Sequence, residues 1–201
     1  KQQNVLNGDV KLNLSYNLPY GFKFKANYQM LRRYDRNKEK EKATPTYMYD
    51  WATDVYTFHS NLFTYTSLYE SIDISNYFNQ QYYLTWAKTL GDHDISALTV
   101  YEVISENGNY FNAKRIRYDF DIDYLFAGPD LDKTNGGSGS QGGRVGLITR
   151  LNYGYKGKYL FEFSSRYDAS PKFPADTRWG FFPSVSLGWR LSKESFIEDN
   201  L

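Results

Sequence analysis

The 201-residue chain carries 24 Lys and Arg against 23 Asp and Glu, a net charge of +1, with 20 Tyr, 14 Phe and no Cys. A charge so balanced offers no hold on nucleic acid or on a strongly acidic partner, and the missing thiol excludes disulfide frameworks, thiolate zinc sites and cysteine nucleophiles. No run approaches the roughly 18 consecutive apolar residues of a membrane-spanning helix, although a barrel, whose strands alternate, leaves no such signal. Lys1 opens neither on a Met nor on a signal peptide, so the chain reads as a segment of a longer protein.

Gly8 to Leu18 alternates strictly, with Val10, Leu12, Leu14, Tyr16 and Leu18 on one side and Asp9, Lys11, Asn13, Ser15 and Asn17 on the other. This is the pattern of a strand with one apolar face. Phe22, Phe24, Ala26, Tyr28 and Met30 repeat it, and Pro19-Tyr20-Gly21 between them predicts a three-residue hairpin whose Gly takes the left-handed position. That turn sets Leu18 against Phe22 and Tyr16 against Phe24, so both apolar faces coincide.

Residues 31–66 read as a long loop. They contain the charged run Arg32 to Lys42, then Pro45 and an aromatic piece with Tyr47, Tyr49, Trp51, Tyr56 and Phe58, and a strand of their own near Thr64 to Ile74. Tyr77 to Leu90 and Asp94 to Ile104 make a second hairpin around Gly91-Asp92-His93, with Leu84, Trp86, Leu98 and Val100 as one apolar set. A second long loop, 105–143, closes on GGSGSQGG. Val145, Leu147, Thr149, Leu151 and Tyr153 then pair with Tyr159, Phe161, Phe163, Ser165 and Tyr167 across Tyr155-Lys156-Gly157. The expected register places Leu151 against Phe161 and, on the other face, Arg150 against Glu162 as a cross-strand ion pair. After a loop over about 168–180, a last strand carries Val185, Leu187 and Trp189.

Seven strands joined alternately by tight turns and long loops put every tight turn at one end of an up-and-down meander. Bacterial outer-membrane barrels have this layout. Tyr16, Tyr20, Phe22, Trp86, Tyr153, Tyr155, Tyr159 and Trp189 collect beside the tight turns, at the level where a membrane interface selects amphipathic rings. The expected fold class is therefore all-β: an antiparallel up-and-down transmembrane β-barrel segment.

The wording LNYGYKGKYLFEFSSRYD followed by RWGFFPSVSLGWRLS resembles the SusC/RagA-type TonB-linked outer-membrane transporters, departing from their usual Gly and Ser at Ala169 and Pro171. The resemblance implies that residues 1–201 form about seven strands of a roughly 22-stranded barrel, in the cell outer membrane, with no plug domain in this segment. It further implies outer-membrane lipid around the barrel, TonB and a SusD-type surface lipoprotein as partners, and a glycan or peptide as substrate, imported without covalent chemistry. Specificity would then lie in the long extracellular loops, where Trp51, Tyr110 and Phe111 are candidates to stack on substrate. Arg166 and Asp168, near a loop end, are candidates for polar contact.

Other chemistry-bearing residues carry plainer readings. The glycine run at 136–143 is followed by Arg144 and a strand, lacking the Lys-Ser/Thr and helix of a phosphate loop. Asp119, Asp121 and Asp123 in YDFDIDY are a weak candidate for a structural Ca²⁺, since Tyr124 stands where a calcium loop turns on Gly. No other cofactor is expected. His59 and His93 show neither ligand spacing nor a triad partner, and no cluster of catalytic residues suggests an enzyme. The alternative architecture is a soluble all-β carbohydrate-binding module, which alternation and aromatics would suit equally, but whose sandwich layers do not require the observed loop parity.

Overall fold

The computed structural model describes residues 1–198. The alternating stretches become strands β1 (Gln2–Asn17), β2 (Phe22–Glu41), β3 (Pro45–Asp50), β4 (Val55–Asn61), β5 (Ser67–Leu90), β6 (His93–Ile116), β7 (Thr134–Tyr155), β8 (Tyr159–Ala169) and β9 (Trp179–Trp189). Seven form one sheet in the order β1-β2-β5-β6-β7-β8-β9, and β3-β4 is a separate hairpin. The sheet is thus the expected antiparallel meander, each strand hydrogen-bonded to its chain neighbour apart from the inserted hairpin.

Two expected loops are largely strand. β2 runs through the charged segment to Glu41, β6 continues to Ile116, and β7 begins at Thr134 in the glycine-rich stretch. The physical reason for β2 is visible in its sequence: Asp35, Asn37, Glu39 and Glu41 alternate with Arg36, Lys38 and Lys40. A strand's two sides can differ in sign of charge as well as in polarity, and the period of two is the same. In β7 the glycines allow close approach to β6, because a Cβ at Gly143 would lie 2.5 Å from the Ile104 carbonyl oxygen and one at Gly137 would lie 2.9 Å from that of Tyr110.

The chain divides into two compact units. The first comprises Lys1–Asn7, Arg32–Ser75 and Gly108–Ser140. It holds the β3-β4 hairpin and the loop of residues 117–133. The second comprises Gly8–Leu31, Asn76–Asn107 and the chain from Gln141, and contains all three tight turns.

In the first turn Leu18 N–H donates to Phe22 O at 2.8 Å, with Tyr20 and Gly21 at φ 63° and 85°. This is the three-residue connection expected. The second turn is one residue shorter than expected, since β5 ends at Leu90 and β6 starts at His93. A one-residue change exchanges the faces of a whole strand. Tyr82 accordingly stacks on Tyr101 with ring centroids 6.5 Å apart, and Gln81 donates to Glu102 at 2.7 Å. Leu98 and Val100 therefore lie on the side opposite Tyr101, away from Leu84 and Trp86, and Val100 is buried.

At the third turn Lys156 and Gly157 have φ 52° and 61°, and Lys158 N–H donates to Tyr155 O at 2.9 Å, the left-handed pair of a type I′ turn. Tyr155 pairs with Tyr159, so Leu151 faces Phe163 and Arg150 faces Ser164. The register is displaced by two residues from that expected. An even displacement keeps every side chain on its face, and Arg150 still reaches Glu162 diagonally at 3.8 Å.

Packing of the sheet differs from that of a soluble domain. Among the described residues only Leu68, Val100, Ile104 and Ala169 are buried hydrophobics, whereas Leu14 is 62% and Leu187 80% exposed. A water-soluble chain of this length would have buried such side chains against a second layer. On a barrel wall that apolar face meets lipid, and the 11 residues of β8 and of β9 match the roughly 9 to 11 needed for a tilted crossing. At the turn ends His93, Tyr155, Tyr159 and Trp189 follow one another with ring centroids 4.9, 6.4 and 6.4 Å apart. Glu194 locks this belt, accepting from Trp189 Nε1 at 3.0 Å, Tyr159 Oη at 2.9 Å and Lys158 Nζ at 3.1 Å.

Candidate substrate-contact surfaces

The first unit presents its aromatic residues in two settings. Trp51 sits at the tip of the β3-β4 hairpin, 89% exposed, with its ring edge-on to Tyr49 at 4.8 Å. Tyr49 also packs on Tyr56 at 5.0 Å, and Tyr47 on Phe58 at 6.2 Å. These pairs follow from the register Tyr47 with Phe58 and Tyr49 with Tyr56, which collects the rings on one face. A hydrogen bond from Thr53 Oγ1 to Asp50 at 2.8 Å and one from Ala52 N–H to Asp50 at 2.9 Å shape the tip. These bonds, the backbone one first, hold the Asp50 carboxyl below its ordinary value.

Tyr110 and Phe111 lie within β6 and not in a loop. Successive residues of a strand face opposite sides, so the two rings cannot serve one ligand surface together. Tyr110 shares a 2.6 Å hydrogen bond with Tyr69, while Phe111 is 54% exposed. Tyr69, Tyr49 and Tyr56 were passed over in the sequence because their only signal was residue type. Only pairing reveals them as neighbours of the aromatic candidates.

Arg166 and Asp168 are brought together in the second unit. The guanidinium donates through Nε at 3.0 Å and Nη2 at 3.1 Å to the two carboxylate oxygens, a bidentate fork along one face of β8. Gly146 is the partner of Asp168 on β7 and Gly180 on β9. A Cβ at Gly146 would meet Asp168 Oδ1 at 2.5 Å, so the glycine makes room for the carboxylate. On the neighbouring strands Glu102, only 6% exposed, accepts from Gln81 and pairs with Arg144 at 3.3 Å. Of these residues Arg144, Asp168 and Gly180 line a cavity of about 670 Å³ together with Tyr77, Arg178 and Phe182.

Of the three aspartates of the loop 117–133, Asp121 and Asp123 meet ammonium groups. Asp121 is bonded by Lys40 and Lys42, and Asp123 pairs with Lys38 at 3.1 Å. The two lysines hold the Asp121 carboxyl down at about 2. Lys38 and Lys40 on β2 and Lys42 just beyond it thus occupy two of the carboxylates proposed for a cation, and among the described residues no group of three or more His, Cys, Asp or Glu is disposed to hold a metal ion. The segment that carries them is irregular. His93 bonds Tyr153 at 2.7 Å within the aromatic belt, and His59 lies on β4.

No protein-family model matches the chain. Over 55 residues it is 47% identical to the TonB-dependent receptor SusC of Bacteroides thetaiotaomicron, covering 27% of this chain and 6% of that protein. Over 96% of its length it adopts the fold seen in the structure of the RagAB peptide transporter, with a TM-score of 0.82 and 18% identity, covering 20% of that chain. The chain is a segment of an outer-membrane β-barrel, similar in part of its sequence to SusC and in its fold to the RagAB transporter. It is also 30% identical over 120 residues to the TonB-dependent receptor P3 of Formosa agariphila, 59% of this chain and 12% of that relative. The chain spans between 6% and 12% of the length of these curated relatives. In an outer-membrane barrel the exposed apolar stripes face lipid, and the single meandering sheet is not the layered sandwich of a soluble carbohydrate-binding module. The barrel crosses with strands, and among the described residues no helix is long and apolar enough to cross.

Proposed function

We propose that this chain is wall and outer-loop structure of a TonB-dependent importer of glycans or oligopeptides, working with a SusD-type lid lipoprotein. The observation that carries the reading is the close match to SusC over a segment whose fold is that of the RagAB transporter. The wall contributes no covalent chemistry. Its strands fix the positions of the outer segments, TonB supplies the energy through a plug carried elsewhere in the protein, and substrate is held by outer-segment side chains.

Of the candidates, Trp51 suits stacking best, since its ring is exposed and steadied edge-on by Tyr49. Tyr110, with its hydroxyl on Tyr69, and Phe111 would serve separate surfaces. Arg166 and Asp168 form a self-neutralised fork, which suits a substrate carrying both charges, as a peptide does, because each group then exchanges one partner for another. Measured uptake of labelled substrate by cells expressing the Trp51→Ala, Tyr110→Ala and Phe111→Ala triple variant tests the outer-segment reading. Reduced uptake at normal surface abundance supports it, and unchanged uptake removes all three residues from substrate contact.

A further inference from the structure

The cavity of about 670 Å³ at the loop between β8 and β9 lies wholly within the second unit. Three cations line it, Arg144, Lys172 and Arg178. Arg144 is paired with Glu102 at 3.3 Å, whereas Lys172 and Arg178 form no ion pair among the described residues. Arg178 Nε is buried and meets no hydrogen-bond acceptor. Of the two carboxylates on the lining, Asp168 is held by the Arg166 fork, and Glu106 is unpaired among the described residues. Two free cations thus face one free carboxylate. A buried guanidinium N–H without an acceptor is costly, so a partner is expected for it.

The loop fixes Arg178 through its backbone. Ser170 N–H donates to Arg178 O at 3.3 Å, directly beyond the last pair of the ladder, Ala169 with Trp179. Within the loop Phe173 N–H donates to Ser170 O at 3.2 Å and Thr177 N–H to Pro174 O at 3.1 Å, so its own turns close it. Phe173 and Phe182, both exposed, add an apolar wall to the cavity. Gly180 makes room for that wall, since a Cβ there would lie 2.8 Å from the Phe182 ring.

The registers of β7, β8 and β9 set Gly146, Asp168 and Gly180 side by side. Arg144 and Phe182 lie two residues from members of that row and therefore on the same side of the sheet. Leu147, Phe163, Val185 and Leu187 occupy the other side. In an outer-membrane barrel that apolar side meets lipid, so the cavity opens to the barrel interior. The ligand it fits carries a carboxylate with an apolar group beside it. The last residue of a peptide bears both on one carbon, and peptide N–H groups suit the Glu106 carboxylate, whereas the neighbours of a sugar carboxylate are hydroxyls. We propose that this cavity binds the C-terminal carboxylate of an oligopeptide, Arg178 and Lys172 holding the carboxylate and Phe173 and Phe182 the last side chain. The site rests on the reading of this chain as part of an importer and narrows its substrate.

The test uses the whole protein purified from outer membranes in detergent, titrated with N-acetyl-trialanyl-phenylalanine as the free acid and, separately, as its C-terminal amide. The acid is expected to bind about tenfold more tightly than the amide, as charge-assisted hydrogen bonds imply. Arg178→Gln should abolish that preference, Lys172→Gln should reduce it, and Arg178→Lys, which keeps the charge without the fork, should retain part of it. Affinity for the amide should change little in all three, which separates loss of the contact from loss of the fold. Lys172→Gln, at an exposed position, decides the matter if Arg178→Gln loses the heat-modifiable gel mobility of a folded barrel. An undiminished preference in the folded variants overturns the site, as does equal affinity of the wild type for acid and amide, or binding of neither. Tighter binding of trigalacturonate than of the peptide acid overturns the peptide in favour of an acidic sugar. Uptake by cells separates this site from the import reading beneath it. Import of the amide as efficient as that of the acid overturns the site and leaves import standing, whereas acid binding without import of either peptide refutes import and leaves the site standing.

Discussion

Gly142 and Gly143 are adjacent on β7, yet alanine should be tolerated at one and not at the other. A Cβ at Gly143 would lie 2.5 Å from the Ile104 carbonyl oxygen and 3.5 Å from the Ser105 Cα, both backbone atoms of β6. A Cβ at Gly142 meets only the Glu106 side chain, at 3.3 Å from Oε2. A side chain can rotate away, whereas a paired backbone can retreat only by stretching the ladder. Separating β6 from β7 locally weakens one or two ladder bonds, each of net worth about 0.5–1.5 kcal/mol, and overpacking adds about 1–3 kcal/mol. Gly143→Ala should therefore destabilise by about 2–4 kcal/mol and Gly142→Ala by less than about 1 kcal/mol. Denaturant unfolding of the purified whole protein in detergent, followed by tryptophan fluorescence, measures both. Equal stabilities for the two variants, within experimental scatter, would refute the claim that close backbone approach is why β7 is glycine-rich.

Three further outcomes are expected. Gly146→Ala pushes against the Asp168 carboxylate, a movable group, so it should open the Arg166 fork and change uptake while shifting the unfolding midpoint far less than Gly143→Ala. Asp121 has a folded-state value of about 2, below its ordinary 3.8, because Lys40 and Lys42 bond its charged form. The sign follows directly: its contribution is complete above about pH 4 and fades as pH falls toward 2. Hydrogen-exchange protection in residues 117–133, taken relative to the intrinsic exchange rate at each pH, should therefore be unchanged from pH 7 to 5 and fall below pH 4, and a transition above pH 5 would contradict the assignment. Three donors, with Trp189 contributing most, hold the Glu194 carboxyl below its ordinary value. Glu194→Ala should free the Trp189 indole and shift its emission, whereas an unchanged spectrum would show that the belt does not depend on this residue.

Much of the wall was legible in the residues. Apolar alternation in Val10 to Leu18 and Phe22 to Met30 marked strands correctly because a lipid-facing side must be apolar at every second position. The first turn was legible for a similar reason, since Gly21 occupies a left-handed φ of 85°. Turn length was not. Gly91-Asp92 and Gly91-Asp92-His93 look alike in sequence, yet they give opposite faces to Leu98 and Val100.

The candidate site was read less well, and the cause is specific. Tyr110 and Phe111 have the composition of loop aromatics, but β6 carries them to opposite sides. Asp121 and Asp123 have the spacing of cation ligands, but Lys38, Lys40 and Lys42 arrive from a strand some eighty residues earlier and neutralise them. The alternation of charge in Arg36 to Glu41 held the information that this was strand, though it appears only when sign is read with the same period as hydropathy.

The sequence by itself determined the sheet, its apolar side and the resemblance to outer-membrane barrels, because period-two patterning and local wording are properties of neighbouring residues. The tertiary structure alone decided the registers at the second and third turns, the Arg166–Asp168 fork beneath Gly146 and the cavity beside Arg178. Each of these depends on which distant strand supplies the opposing atom, and a one-residue difference in a turn is enough to change it.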